Sequence, residues 1–201
     1  MIKYKYMLGI FFACLSLTLC IYPYLPTRMA VHWNENGGAN EFMSKHVVVL
    51  FIPVLIIILH GLVYVISHNI YKFNEGEHLI ISGFIKSITL FMMFVHILIL
   101  FVNLGSIISF QTGLTIGISM FLFMFSKVFK KVKDREKEPI KLQKIRLVSR
   151  RIFQGMACSI LFSLLLSLEW GFYLLISVIS CGSILFMFYN LYAYILESYE
   201  T

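Results

Sequence analysis

Between Ser87 and Phe129 the chain stays apolar for longer than any single helical crossing needs, and similar runs occupy Met7 to Tyr24, Val47 to Ser67 and Ile152 to Leu196. A hydrocarbon core about 30 Å thick takes ~20 apolar residues per crossing. The runs are continuous rather than alternating, and each must satisfy its own backbone in lipid, so they are expected to be helices. The long run breaks at Asn103-Leu104-Gly105-Ser106, giving spans at about Ser87 to Val102 and Ile107 to Phe125. The last run divides at Glu169-Trp170-Gly171 into two spans joined by a very tight turn. With 59% hydrophobic and 13% charged residues and a mean hydropathy of +0.85, nothing is left over for a separate soluble domain. The expected fold is an all-α integral membrane protein of about six transmembrane helices, one domain over 1–201.

Lys and Arg orient it. An inside N-terminus places fifteen of the seventeen, including all eleven between Lys127 and Arg151, on the cytoplasmic side and leaves Arg28 and Lys45 outside. Both termini are then cytoplasmic. The first run exceeds the usual apolar stretch of a cleaved signal, and no small-x-small site precedes Leu25, so it is expected to persist as a helix. Phe11-Phe12-Ala13-Cys14 matches a lipoprotein motif poorly. Cys14, Cys20, Cys158 and Cys181 all fall in apolar spans with no CxxC, as small buried hydrophobes do.

The chemically distinctive stretch is the polar inset from Leu25 to Lys45, a loop module over 25–46 facing outward. Pro23 and Pro26 stop the first helix near Tyr22. Asn34-Glu35-Asn36-Gly37-Gly38 tolerates positive φ and reads as a compact turn, while Tyr22, Tyr24, Trp33 and Phe42 suit headgroup depth and lay the loop on the membrane surface. His32, Glu35, Glu41 and His46 lack the local spacing of a zinc site, so hydrogen-bonded capping of the turn is preferred to a metal.

These residues carry a resemblance. LPxxMAVHWNENGGANEFMSK followed by an apolar run with an early Pro53 resembles the N-terminal module of the SdpI-like bacterial membrane proteins, with Pro26, His32, Asn34, Gly38 and Lys45 at the matching positions. The likeness covers roughly Tyr22 to Pro53. Ala30 stands where members usually have Pro, and the Gly-x-Arg-Thr-Pro-Trp-like segment of the closest members is replaced by KVFKKVKDREKEPIKLQKIRLVSRRIFQG, comparable only in its arginines and Gly155. The resemblance implies an immunity protein of the bacterial cytoplasmic membrane that protects against a secreted toxic peptide. It implies binding rather than catalysis, without a cofactor. Pro26, His32, Trp33, Asn34, Gly38 and Lys45 are the expected peptide-binding or functional loop residues.

Lys127 to Arg151 holds eleven basic and three acidic residues, a local excess of eight against +7 for the whole chain. It is expected to be a basic cytoplasmic loop divided by Pro139. Beyond the proline, Leu142, Ile145, Val148 and Ile152 form an apolar stripe with Lys141, Lys144, Arg150 and Arg151 largely off it. An interfacial helix on anionic lipid is the preferred reading. A cytosolic regulator docking on Lys141, Lys144, Arg146, Arg150 and Arg151 is the alternative, and nucleic acid is set aside because a strip pinned to the membrane has little access to it.

Inside the membrane, His60 and His96 are the polar residues to explain, expected at loosely similar depths and bonding across helices. No carboxylate lies at mid-depth, which disfavours the second functional class, a small-solute or proton-coupled transporter. Ser109, Gly113 and Gly117 form a small-residue ladder suited to helix packing within the monomer, with a homodimer contact as the alternative.

Overall fold

A computed structural model describes residues 4–66, 75–133 and 140–198. Within them lie α1 (Tyr4–Ile21), β1 (Arg28–Trp33), β2 (Ala39–Ser44), α2 (Lys45–Val65), α3 (Glu75–Asn103), α4 (Phe110–Lys133), α5 (Ile140–Phe162) and α6 (Leu168–Ser198). Short 3-10 turns at Tyr22–Tyr24 and Ser163–Leu165 end α1 and α5. The described residues are thus helical apart from one hairpin and the short connections. Among the described residues, four helices are long and apolar enough to cross a membrane: α2, α3 over His78–Asn103, α4 over Phe110–Lys130 and α6 over Leu168–Ala193. α1 contributes a shorter apolar stretch, Phe11–Tyr24.

Helix starts and stops follow local chemistry. α1 ends at Ile21, one residue before a 3-10 turn built around Pro23, whose ring cannot donate to the helix. α3 ends at Asn103, and Gly105 at φ +88 reverses the chain toward α4. Pro53 sits buried inside α2 without ending it. Successive reversals make an up-and-down bundle in which the ends of α1, α3 and α5 and the starts of α2, α4 and α6 share one end, capped by the hairpin.

Three apolar clusters hold the bundle together. Cys14, Ile56 and Met93 join α1, α2 and α3. Leu122, Met156, Ala157, Ile160 and Leu175 join α4, α5 and α6. The third, Leu25, Met29, Val48, Val49 and Leu100, lies under the hairpin. In the α3–α4 seam the expected small-residue ladder has its use within the chain: a Cβ on Gly113 would stand 2.4 Å from Leu98 Cδ1, and one on Gly117 2.6 Å from Phe94 Cε1. By contrast only 22% of the apolar window of α2 and 11% of that of α6 are buried. Those faces are left for lipid.

Three sequence expectations are corrected. The inset is an antiparallel β-hairpin rather than a turn alone. The basic segment is not an extended loop with a separate interfacial helix: residues to Lys133 continue α4, and Ile140 onward is one continuous helix with the fifth apolar run. Residues 134–139, including Pro139, lie outside the described residues, as does the side chain of Lys141. The final break falls at Ser163–Ser167, so Glu169, Trp170 and Gly171 belong to the first turns of α6. There Gly171 is needed because a Cβ would meet the Ser163 carbonyl oxygen at 2.8 Å.

Candidate functional site

The hairpin is built around Asn34. Its backbone N–H donates to Gly38 O at 2.9 Å and its carbonyl accepts from Gly37 N at 2.9 Å. Its side-chain Oδ1 accepts from the backbone N–H groups of Gly38 at 2.8 Å and Asn36 at 3.2 Å. Such local side-chain bonds stand in for a missing ladder partner and fix the reversal. Gly37 takes φ +79, and a Cβ on Gly38 would press the Asn34 amide at 3.3 Å. Register runs Arg28↔Ser44, Met29↔Met43, Ala30↔Phe42, then shifts so that His32 faces Glu41 and Trp33 faces Ala39. Val31 on β1 and Asn40 on β2 are each left without a partner in the ladder, so the pairing is irregular toward the tip. Met29 and Ala30 are both buried, Met29 in the cluster beneath the hairpin and Ala30 where Asn103 bonds its backbone.

Three fastenings hold this hairpin to the bundle. At its middle, Asn103 acts as a substitute strand: Ala30 N–H donates to Asn103 Oδ1 at 2.7 Å, and Asn103 Nδ2 donates to Ala30 O at 3.1 Å and to Ile99 O at 2.9 Å. Near its tip, Trp33 stacks on Phe110 of α4, with ring centroids 3.9 Å apart and planes inclined by 12°. At its base, Lys45 Nζ donates to Tyr22 O and Leu25 O, both at 3.4 Å, and lies 4.5 Å from the Tyr22 ring centroid. Beneath, Met29 is fully buried.

The fastened hairpin presents β2 outward. All six residues of that strand are exposed, including Phe42 and Met43, with Tyr24 beside the hairpin base. On β1, His32 is exposed and its Nδ1 is 2.6 Å from Asn40 Oδ1. His46 bonds Tyr22 instead, so the two histidines of the inset serve different partners. Pro26 is exposed between the 3-10 turn and β1. Of the residues anticipated from sequence, Asn34, Gly38 and Lys45 shape the hairpin, Trp33 docks it, and Pro26 and His32 remain on its surface. A cleft of about 110 Å³ among Gln111, Thr115, Ser163, Ser167 and Gly171 adjoins the tip. At ~30 Å³ per water it suits a few water molecules and is far too small for a peptide.

The intramembrane histidines form separate contacts. Thr18 directs its single hydroxyl proton to Cys14 O at 2.9 Å, so the 2.9 Å contact with His96 is an Nε2–H donation from a buried histidine to the Thr18 oxygen, tying α1 to α3. His60 donates from Nδ1 to Ile56 O at 2.7 Å and lies 3.4 Å from Thr89 Oγ1 through Nε2. Thr89 and His96 are two turns apart on α3, so the histidines are not level, and neither reaches the hairpin.

Sequence reasoning missed Asn103 and Phe110. Both flanked a recognised helix break, and a polar amide closing a long apolar run was the available signal. Nothing in the sequence named Ala30 as its partner. Among known families, the one described as a domain of unknown function (DUF1648) matches residues 9–57, which takes in most of α1, the whole hairpin and the first half of α2. No curated protein and no solved structure matches the chain.

Proposed function

We propose that this chain is an SdpI-like immunity protein of the bacterial cytoplasmic membrane, which binds a secreted toxic peptide, or shields its target, at the hairpin-capped end of the bundle. In this reading the hairpin faces outward and both termini face the cytoplasm, as the distribution of Lys and Arg favours. The observation that carries it is the hairpin itself, a rigid polar-backboned element fastened by Asn103, Trp33 and Lys45 while β2 stays wholly exposed. A strand that is held on one side and open on the other offers backbone groups and alternating side chains to an extended peptide. Phe42 and Met43 supply apolar anchors, and His32, Asn40 and Glu41 supply polar ones. The work is recognition, so no reaction is assigned.

The test is protection of a peptide-sensitive strain. Wild-type protein should raise tolerance to the cognate peptide, and F42S together with M43S should weaken it without lowering membrane abundance, since neither side chain belongs to the buried core. Losing interface anchors worth ~2 kcal/mol corresponds to roughly thirtyfold weaker binding. Wild-type protection by the double variant would reject β2 as the contact. Absence of any peptide tolerance, together with His96-dependent flux in proteoliposomes, would replace immunity by a carrier.

A further inference from the structure

The cleft beside the hairpin tip carries chemistry that the hairpin itself does not use. Gln111, Thr115 and Ser163 form its floor, and Leu164, Leu166 and Leu168 its rim. Thr115 and Ser163 are 4% and 3% exposed, whereas the three leucines are open to the surroundings. Thr115 commits its hydroxyl proton to Gln111 O at 2.9 Å, and Ser163 commits its own to Ile160 O at 2.6 Å, so each offers the cleft lone pairs only. Gln111 donates from Nε2 to Leu168 O, which leaves its Oε1 buried without a partner. An orphaned buried acceptor is costly, and here it lines the same small space as two hydroxyl oxygens whose protons are already placed. What completes such a floor is a compact group rich in N–H donors.

Charge favours a cation there. Glu35 in the hairpin turn, Glu41 on β2 and Glu169 in the first turn of α6 all stand at this end of the bundle. Its cations, Arg28 and Lys45, are tied at the hairpin base to Phe42 O and to Tyr22 O and Leu25 O, and the arginines of α5 lie at the opposite end. The last turn of α5 brings the negative end of its dipole to the cleft wall, while Glu169 offsets the positive end of α6. A leucine rim above an acceptor floor suits lysine, whose methylene stem packs on apolar surface while its ammonium presents three donors. An ethanolamine lipid headgroup also ends in an ammonium, but its phosphate follows closely and would meet leucines and carboxylates. The cleft is continuous with the hairpin: a Cβ on Gly37 would lie 3.2 Å from Leu168 Cδ1, and Trp33 stacks on Phe110, the neighbour of Gln111. We propose that this cleft takes the ammonium group of a lysine side chain of the peptide recognised at the hairpin end, with Gln111, Thr115 and Ser163 accepting its protons. Assigning the lysine to that peptide rests on the function proposed above.

The two tryptophans of the chain, Trp33 and Trp170, flank the cleft, so intrinsic fluorescence of the full-length protein in detergent reads its occupancy. The probe is lysine blocked at both ends, N-acetyl-lysine methylamide, and it should give a saturable change. Its Nε-trimethyl form keeps the charge but has no ammonium N–H, and should bind roughly tenfold more weakly, as should the unmodified probe to Q111M, each losing charge-assisted hydrogen bonds. Glycerophosphoethanolamine, the lipid headgroup, should not compete. T115V removes only a hydroxyl bonded within its own helix and should weaken binding several-fold. No saturable response, equal affinity of the trimethyl form, competition by the headgroup, or wild-type affinity in both variants would each overturn the site. Should Q111M, which also loses the tie to Leu168, fail to fold, T115V decides alone: a several-fold loss supports the site and wild-type affinity overturns it. Peptide tolerance conferred by a protein that binds no lysine would overturn this site and leave the immunity function standing, whereas lysine binding without any peptide tolerance would overturn the lysine's assignment to a toxic peptide.

Discussion

N103L is expected to release the hairpin from the bundle while leaving the bundle folded. The wild-type amide satisfies both backbone groups of Ala30 and bonds Ile99 O as well, all at 2.7 to 3.1 Å. Leucine has the same branched outline and is the better helix former, so α3 itself is not weakened, but it leaves the N–H and C=O of buried Ala30 without partners. Each unsatisfied buried group costs ~1–3 kcal/mol, so an undocking penalty of about 2 kcal/mol is removed at the least. That corresponds to roughly thirtyfold faster hydrogen exchange at the Ala30 amide, with α3–α6 amides unchanged. N103D should fall between, since it keeps an acceptor for the Ala30 N–H but turns a second oxygen toward the Ala30 carbonyl. Unaltered exchange over residues 28–33 in N103L would show that the hairpin is held without this clamp.

G117V should produce the largest global destabilisation. The α3–α4 seam closes over Gly117 so tightly that a Cβ would lie 2.6 and 2.7 Å from two atoms of the Phe94 ring and 3.3 Å from Phe91. Overpacking of this kind costs ~1–3 kcal/mol, which for a chain of this size lowers the melting temperature by roughly 2–10 °C. F94L should recover part of the loss when combined with G117V, because the two positions share one contact. G155A provides the contrast within the same bundle. Nothing lies within 4 Å of its added Cβ, and alanine is the better helix former by ~0.5–1 kcal/mol, so that variant should melt slightly higher. Equal melting temperatures for G117V and G155A would refute the tight seam.

The apolar runs announced the helices because in lipid the length and continuity of a run leave few alternatives. The Asn103 break, the stop before Pro23 and the intrachain use of Gly113 and Gly117 were accordingly readable. The hairpin was not, because β1 lacks the alternation that marks a strand: buried Met29 and Ala30 stand side by side, and β2 is exposed throughout, so its pattern records no core. Only the turn chemistry of Asn34 to Gly38 pointed to a reversal. The basic segment was divided at Pro139 and Ile152 because its charge changes there, yet α5 continues through Ile152, since Phe153, Met156 and Ile160 extend the same buried face. The site's fastening depended on partners remote in sequence, Ala30 with Asn103 and Trp33 with Phe110, which a single sequence does not pair.

The central claim is that a folded hairpin stands on the outer face of the membrane while the arginine end of the bundle faces the cytoplasm. Cysteine accessibility in intact cells tests it most directly, in a background with Cys14, Cys20, Cys158 and Cys181 replaced by serine. Asn36 is exposed at the hairpin tip and Lys144 is exposed near the start of α5, so N36C and K144C report opposite faces. A membrane-impermeant maleimide should modify N36C in intact cells and K144C only after permeabilisation. The reverse pattern, with K144C modified in intact cells and N36C protected until they are opened, would contradict the account.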